Sequence, residues 1–477
     1  MKSVPLVVDL DGTLVKTNML VESLVRPDFA ALKRLRPLAL GLITSRSQFK
    51  FVAARDFHVD CATLPFRKEV VDLIDIRSKA GDDVVLATAA TETIARQISV
   101  QLGIFSSVLS SSQFSNLSGS KKAEALVEIY GVGGYDYIGD SVKDLPIWTS
   151  ARRRYLAGKS PSAIRVFNKL GDGVRLVEGE NLRTSSKWTK AIRLHQWVKN
   201  FLVFAPAIAA HQIFSPGVAI SLGLAFLSFS LLASAMYLIN DILDIQSDRR
   251  HPTKHSRPIS SGQISIVSAI LAASCLALAS LILGLALPTG FTLSLIGYFV
   301  VASLYSVWLK RGLLVDVIAL AGLYTLRVVA GGLAVGIPVS SWLLVFSFFI
   351  FLSLSFLKRS SELALHSDPG KSLTNGRAYV FRDLPALNGL GIVSGLVSVL
   401  VFALYLDSGT VTSLYGSSET LWFAVPVLTF WISSVWVRNA RGEVDEDPIL
   451  FALKDKASLW SGLAFLGVFI IAQLVVA

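Results

Sequence analysis

Cysteine is nearly absent. Cys61 and Cys275 are the only two, and they lie far apart in the chain. Neither a disulfide framework nor a zinc site has the residues it needs. Six histidines are scattered without a cluster. His195 and His251 read as structural or phosphate-side hydrogen-bonders rather than metal ligands. No stripe of basic and aromatic residues runs along the chain, so the net charge of +11 does not indicate nucleic acid. It fits anionic lipid or phosphate-bearing substrates better. The opening stretch "MKSVPLVVDLDGTL" lacks the apolar length of a signal peptide. The first part of the chain is therefore expected to stay in the cytosol. Internal repeats and low-complexity tracts are also missing.

Charge becomes scarce after residue 190. Residues 1–190 hold 27 Lys/Arg and 20 Asp/Glu; residues 191–477 hold only 18 and 14, set between long apolar runs. This predicts a soluble domain followed by a membrane domain. Nine apolar segments are expected, near 198–213, 218–240, 264–286, 289–308, 313–335, 341–357, 386–406, 420–437 and 458–476, the first of them weak. Nine crossings from a cytosolic N-terminus put 241–262, 309–312, 358–385 and 438–457 on the cytosolic side. Those loops carry 15 Lys/Arg, and the opposite loops carry none. That is the positive-inside pattern, which a count of eight or ten would break.

The stretch "NDILDIQSDRRHPTKHSRPISSG", residues 240–262, follows the second segment. Asp241, Asp244 and Asp248 are spaced three and four apart, which predicts three carboxylates on one helix face. Like charges at a helix C-terminus repel one another and oppose the macrodipole. A divalent cation would neutralise them, and hard oxygen ligands suit Mg²⁺ bridging to a diphosphate. Lys254 and Arg257 are candidate phosphate clamps. Asn240 is a candidate hydrogen-bonder to a carboxylate or phosphate. The plainer alternative is a solvated acidic helix end before a basic loop.

This stretch resembles the first aspartate motif of the UbiA prenyltransferase superfamily, N-D-x-x-D-x-x-x-D-x-x-H-P-x-K-x-x-R-P. The resemblance implies an all-helical membrane domain of nine transmembrane helices. It also implies a cytosol-facing cavity where Mg²⁺ holds a diphosphate leaving group. The second motif of the superfamily falls at "YSVWLKRGLLVDVIALAGLYTLRVVAGG", where Asp316 is the single acid. The resemblance makes it a candidate metal ligand. "RLHQWVKN", "LRVVAGGLAVGIPVSSW" and "FLKRSSEL" further resemble the decaprenyl-phosphate phosphoribosyltransferase branch, which joins a polyprenyl phosphate to the ribose of phosphoribosyl diphosphate. Two anionic substrates call for positive charge, and Lys199, Arg327 and Lys358 are candidates to bind them. An arginine inside a membrane segment is costly and so marks a functional candidate. Asp316 lies 11 residues from Arg327, about 16 Å along an ideal helix, too far for direct pairing. Lys199 and Lys358 read equally well as interfacial anchors, and Lys310 reads better as one.

In the soluble part, "VPLVVDLDGTLVKTN" is an apolar strand delivering Asp9 and Asp11 into a glycine-containing loop. Two such carboxylates can divide labour, one attacking phosphorus and the other moving a proton. "DDVVLATAA" is a strand ending near Thr88. "SGSKKAEAL" starts a helix with Lys121 and Lys122, and "YDYIGDSVKDLPIW" is a strand followed by Asp140 and Asp144. Strands alternating with helices imply a doubly wound α/β domain with its ligands at the strands' carboxyl ends. The ordered set resembles the haloacid dehalogenase (HAD) superfamily. The resemblance implies Asp9 as nucleophile, Asp11 as general acid/base, and Thr88 with Lys122 as phosphate ligands. It implies Asp9, Asp140 and Asp144 as holders of Mg²⁺, and a helical cap over 20–78. The expected limits are 1–160 for this domain, 161–190 for a basic connector at the membrane surface and 191–477 for the membrane domain.

Together the resemblances imply a bifunctional enzyme of the cytoplasmic membrane with both sites facing the cytosol. One site would transfer 5-phosphoribose to a polyprenyl phosphate, and the other would remove the 5-phosphate. Two alternatives stay open. One is a prenyltransferase acting on an aromatic acceptor beside an unrelated phosphatase; the other is a membrane scaffold or transporter whose soluble domain alone is active.

Overall fold

The computed structural model describes residues 4–25, 46–176, 184–364, 378–408, 419–444 and 447–474. They fall into two compact units, Met1–Ile192 with Leu238–Ala272, and Arg193–Tyr237 with Ala273–Ala477.

Short runs, most of them rich in apolar residues, make the strands of the first unit. These are β1 (Leu6–Val8), β2 (Val84–Thr91), β3 (Ser107–Ser111), β4 (Asp136–Gly139), β5 (Arg154–Ala157) and β6 (Val174–Leu176). They form one parallel sheet in the order β3-β2-β1-β4-β5-β6. Alternation along β1 sends Leu6 and Val8 into one core and Val7 into the other. Helices Lys68–Lys79 and Glu92–Leu102 fill the first with Val70, Ile74, Ile94 and Ile98. Helices Ser120–Tyr130 and Pro161–Lys169 fill the second with Leu126 and Phe167. This is the expected doubly wound α/β arrangement, with its topological switch between β1 and β4.

Two boundaries differ from expectation. Helix 161–169 and β6 lie in the stretch read as connector, yet β6 pairs with β5. It is a three-residue edge strand with exposed Val174 and Arg175, too short to show a period in the sequence. Of the expected cap, 26–45 lies outside the described residues. Lys68–Lys79, counted with the cap, packs on the sheet.

Among the described residues, eight helices are long and apolar enough to cross a bilayer: Pro216–Leu243, Ile266–Leu285, Thr289–Val307, Val315–Val335, Ser341–Ala364, Phe381–Leu406, Glu419–Ala440 and Lys456–Leu474. The segment expected at 198–213 is not a long α-helix. It is a 3₁₀ run, Leu194–Phe204, followed by the short helix Ala205–Ala209. Pro206 sits in the first turn of that helix, the position where its missing N–H costs least.

Within the second unit, Val315–Val335 packs closely on the 3₁₀ run. A Cβ at Gly331 would lie 1.9 Å from the Val203 carbonyl oxygen. Only glycine permits that approach, and it brings Arg327 beside Asn200. The apolar core lies among Val315–Val335, Ser341–Ala364, Phe381–Leu406 and Glu419–Ala440, with Leu357, Leu387, Leu421 and Ala424 fully or nearly fully buried.

Candidate active sites

Asp9 and Asp11 leave the carboxyl end of β1, and Asp140 and Asp144 follow β4. Asp9, Asp140 and Asp144 each offer an oxygen, and these oxygens all lie within 4.8 Å of one another. Gly12 permits this closeness. Its φ is +81°, and a Cβ there would sit 2.2 Å from Asp140 Oδ2. Lys122, in the first turn of Ser120–Tyr130, donates to Asp9 Oδ1 at 2.7 Å and to the Tyr137 hydroxyl at 3.3 Å. Lys121 is exposed on the same turn. Asp144 accepts from Tyr137 OH and from the Asp140 and Ser141 amides.

Burial pushes the Asp9 carboxyl up, against the pull of Lys122. Burial also raises Asp11 to about 7 although the Met19 amide donates to it. Burial, then Asp9 and Asp144, raises Asp140 to about 8. Crowded acids that resist losing their protons are a donor set that a divalent cation would relieve, so the residues fit Mg²⁺. A cavity of ≈ 360 Å³ opens onto them, lined also by Lys50, Asn116, Ser118 and Thr91.

Thr88 is fully buried, its hydroxyl accepting from the Ala90 amide, and it is not part of that lining. Thr91, three residues on, lines the cavity, and its buried hydroxyl oxygen has no partner among the described residues. Sequence reasoning missed Thr91 because β2 runs on to that residue. It also missed Lys50, which donates to Ala89 O at 2.8 Å and Asn116 Oδ1 at 2.6 Å.

The aspartate stretch also lies in the first unit. Its three carboxylates do not share one helix face. Helix Pro216–Leu243 stops before Asp244, whose ψ of 8° breaks the helix, and a new helix runs Ile245–Arg250. Asp241 therefore closes one helix, Asp244 sits at the break and Asp248 rides on the next. Arg257 gathers two of them: its Nη1 donates to Asp241 Oδ1 at 3.1 Å and Asp248 Oδ2 at 2.7 Å. Asp241 and Asp248 are buried. Burial raises Asp248 to about 6 in spite of Arg257. The Asn240 side-chain oxygen is buried without a partner among the described residues. Lys254 opens the 3₁₀ turn Lys254–Ser256 and is half-buried. Arg257 reaches Asp241 and Asp248 from one nitrogen, and carboxylate oxygens of this hard kind are donors that suit a divalent cation.

In the second unit, Arg327 is buried among neutral hydrogen-bond partners. It donates to Asn200 Oδ1 at 2.9 Å, Leu323 O at 2.7 Å and Tyr298 OH at 3.0 Å, and lies over the Tyr298 and Tyr324 rings. Lys199 lies over the same Tyr324 ring and pairs with Asp447 at 2.6 Å. Lys358, half-buried on Ser341–Ala364, adds its charge to the hold on Asp447. Asp447 escaped sequence reasoning, although Asp447-Pro448 is a helix-start signature.

Asp316 departs from its expected role. It is fully buried, with Oδ2 taken by Arg359 and Oδ1 by the Tyr379 hydroxyl and the Val317 amide. Arg359 pairs also with Glu362. Both oxygens of Asp316 are committed within this packed network, so the acid reads as a structural anchor rather than a metal ligand.

The sequence profile of the UbiA prenyltransferase family matches residues 201–463. The uncharacterized protein y4nM of Sinorhizobium fredii is 34% identical over 99% of this chain and 92% of its own. The decaprenyl-phosphate phosphoribosyltransferase of Mycolicibacterium smegmatis is 31% identical over 58% of this chain and 89% of that protein. The nodulation protein NoeC of Azorhizobium caulinodans is 31% identical over 57% of this chain and 88% of its own.

Proposed function

The chain belongs to the UbiA prenyltransferase family, and on that footing we propose that it transfers 5-phosphoribose from phosphoribosyl diphosphate to a polyprenyl phosphate and then removes the 5-phosphate. The observation that carries the first step is the similarity, over most of its length, to a decaprenyl-phosphate phosphoribosyltransferase. Buried Arg327 and Lys199 supply the positive charge that an anionic lipid headgroup and a phosphorylated sugar require. A lipid phosphate oxygen bonds to the anomeric carbon while the bond from that carbon to the diphosphate breaks. The diphosphate leaves with the electron pair.

Asp241, Asp244 and Asp248 are the residues that would hold Mg²⁺ for the transfer, and Asp9, Asp140 and Asp144 would hold it for the hydrolysis. Bound Mg²⁺ supplies charge neutralisation of carboxylate and phosphate oxygens. In the phosphatase site the Asp9 carboxylate attacks phosphorus, and Lys122 holds Asp9 for that attack. Burial raises the Asp11 carboxyl to about 7, which poises it to give a proton to the departing sugar oxygen. Water then hydrolyses the aspartyl phosphate.

The proposed topology puts both sites in the cytosol of an integral membrane enzyme. Within the first unit, Glu22 and Arg249 pair directly, so the N-terminal domain and the 241–262 loop share one side of the bilayer. The chain must then cross between 193 and 216. Eleven 3₁₀ residues and five α-helical ones, laid end to end, span about 30 Å, the thickness of the hydrocarbon core. Exposed Phe201 and Ile208 suit lipid contact along it. This restores nine crossings and the charge pattern of the loops.

The test uses membranes containing the protein, with polyprenyl phosphate, Mg²⁺ and labelled phosphoribosyl diphosphate, and weighs the lipid product. A ribosyl lipid from the parent and a phosphoribosyl lipid from Asp9→Asn support both steps and their order. No lipid product from a folded preparation sinks the transferase reading in favour of an aromatic acceptor.

A further inference from the structure

Glu22 and Arg249 are 227 residues apart in sequence, yet their side chains are 2% and 4% exposed. The guanidinium meets the carboxylate through two nitrogens, at 3.0 and 2.7 Å. Its third nitrogen, Nε, donates to the Ser260 carbonyl at 2.9 Å. One arginine thus ties both ends of the 249–260 loop to the helix Met19–Leu24. The loop meets the N-terminal domain at two further points. Arg250 pairs with Asp60 at 2.9 Å, and a Cβ on Gly262 (φ +70°) would lie 2.7 Å from Lys16 Cβ.

Arg249 is the neighbour of Asp248, which Arg257 already holds with Asp241. A buried guanidinium that loses its carboxylate must find another, because an unpaired charge away from water is costly. The nearest acids along the chain are Asp248 and Asp244. Capture by either would remove a carboxylate from the set that faces the diphosphate. Glu22 prevents this by occupying the fork in bidentate fashion.

We propose that Glu22 is a positioning residue of the transferase. Through Arg249 it fixes the aspartate loop and keeps a competing cation off Asp244 and Asp248. The N-terminal domain is then part of the transferase framework, apart from any hydrolysis it performs. This rests on the reading of the aspartate stretch as the site for the metal and diphosphate.

The experiment compares full-length parent, Glu22→Gln, and the exchange Glu22→Arg with Arg249→Glu, all in membranes. Formation of the phosphoribosyl lipid is followed against Mg²⁺ concentration, with tryptic cleavage after Lys254 and hydrolysis of p-nitrophenyl phosphate alongside. For Glu22→Gln the half-saturating Mg²⁺ should rise roughly ten-fold, more than kcat falls, as removal of a group orienting metal ligands does. Cleavage after Lys254 should quicken, p-nitrophenyl phosphate hydrolysis should hold, and the exchange should recover part of the Mg²⁺ affinity. A Glu22→Gln variant with parental Mg²⁺ dependence and parental cleavage overturns the positioning role while the transferase stands. A folded parent that makes no phosphoribosyl lipid overturns the transferase reading and the positioning role together.

Discussion

Lys199 and Asp447, 248 positions apart in the chain, meet at 2.6 Å. The lysine comes from the 3₁₀ run Leu194–Phe204, and the acid caps the helix Pro448–Lys454 by accepting from the Ile449 and Leu450 amides. Although burial works to raise it, Lys199 and then Lys358 hold the Asp447 carboxyl at about 2. A lowered carboxylate contributes stability above its unfolded value of about 3.9 and loses it as pH falls toward 2. The stability gap between parent and Asp447→Asn should therefore stay flat from pH 5 to 8. Melting in detergent at several pH values measures it.

Arg327→Lys should cost more than the conserved charge suggests. The planar fork reaches Asn200, Leu323 and Tyr298 at once, and a lysine has one nitrogen to offer. Transfer of phosphoribose should fall by about ten-fold to a hundred-fold, on the order of one or two lost charged hydrogen bonds. Product formation under saturating Mg²⁺ is the measurement, and equal activity would remove Arg327 from the site.

Asp316→Asn should act on stability and leave Mg²⁺ dependence alone. It breaks a fully buried pair with Arg359, which costs on the order of 3–5 kcal/mol when one partner is removed. A fall in melting temperature with an unchanged Mg²⁺ half-saturation would match the anchor role. A parental melt with a raised Mg²⁺ requirement would return Asp316 to the metal ligands.

Asp9→Asn should lower hydrolysis of the lipid-linked 5-phosphate by on the order of a thousand-fold or more, as loss of a nucleophile does. Asp244→Asn should instead abolish the phosphoribosyl lipid itself. Mass spectrometry of the lipid fraction distinguishes the two, and chelation of Mg²⁺ followed by its return should remove and restore both products.

Residue types at short spacing were enough to locate much of this. Asp9 and Asp11 end a three-residue apolar strand, and Asp140 and Asp144 follow another. The resemblance pointed to Lys122, and the structure puts it on Asp9 with Lys121 exposed. Apolar run length marks the eight long helices because a bilayer demands about twenty apolar residues in a row. The first segment, expected near 198–213, read as weak because its 3₁₀ run at 194–204 is short and carries inward polar groups, Gln196, Lys199 and Asn200. Edge strand β6 escaped because three residues are too few to show a period.

What local pattern could not decide was which charge meets which. Asp316 looked like a metal ligand until Arg359, 43 residues away, proved to hold it. The three aspartates of 241–248 looked like one helical face until the backbone broke at Asp244 and Arg257 gathered two of them. Glu22 carried no signal, and Asp447 carried only a helix-start signature that says nothing of Lys199. Composition and spacing determined the two-part organisation and the residue types that each candidate site holds, because those depend on residue type and chain-local geometry. Tertiary structure alone chose the partners, because a buried charge must be answered by whatever group packing brings within about 3 Å of it.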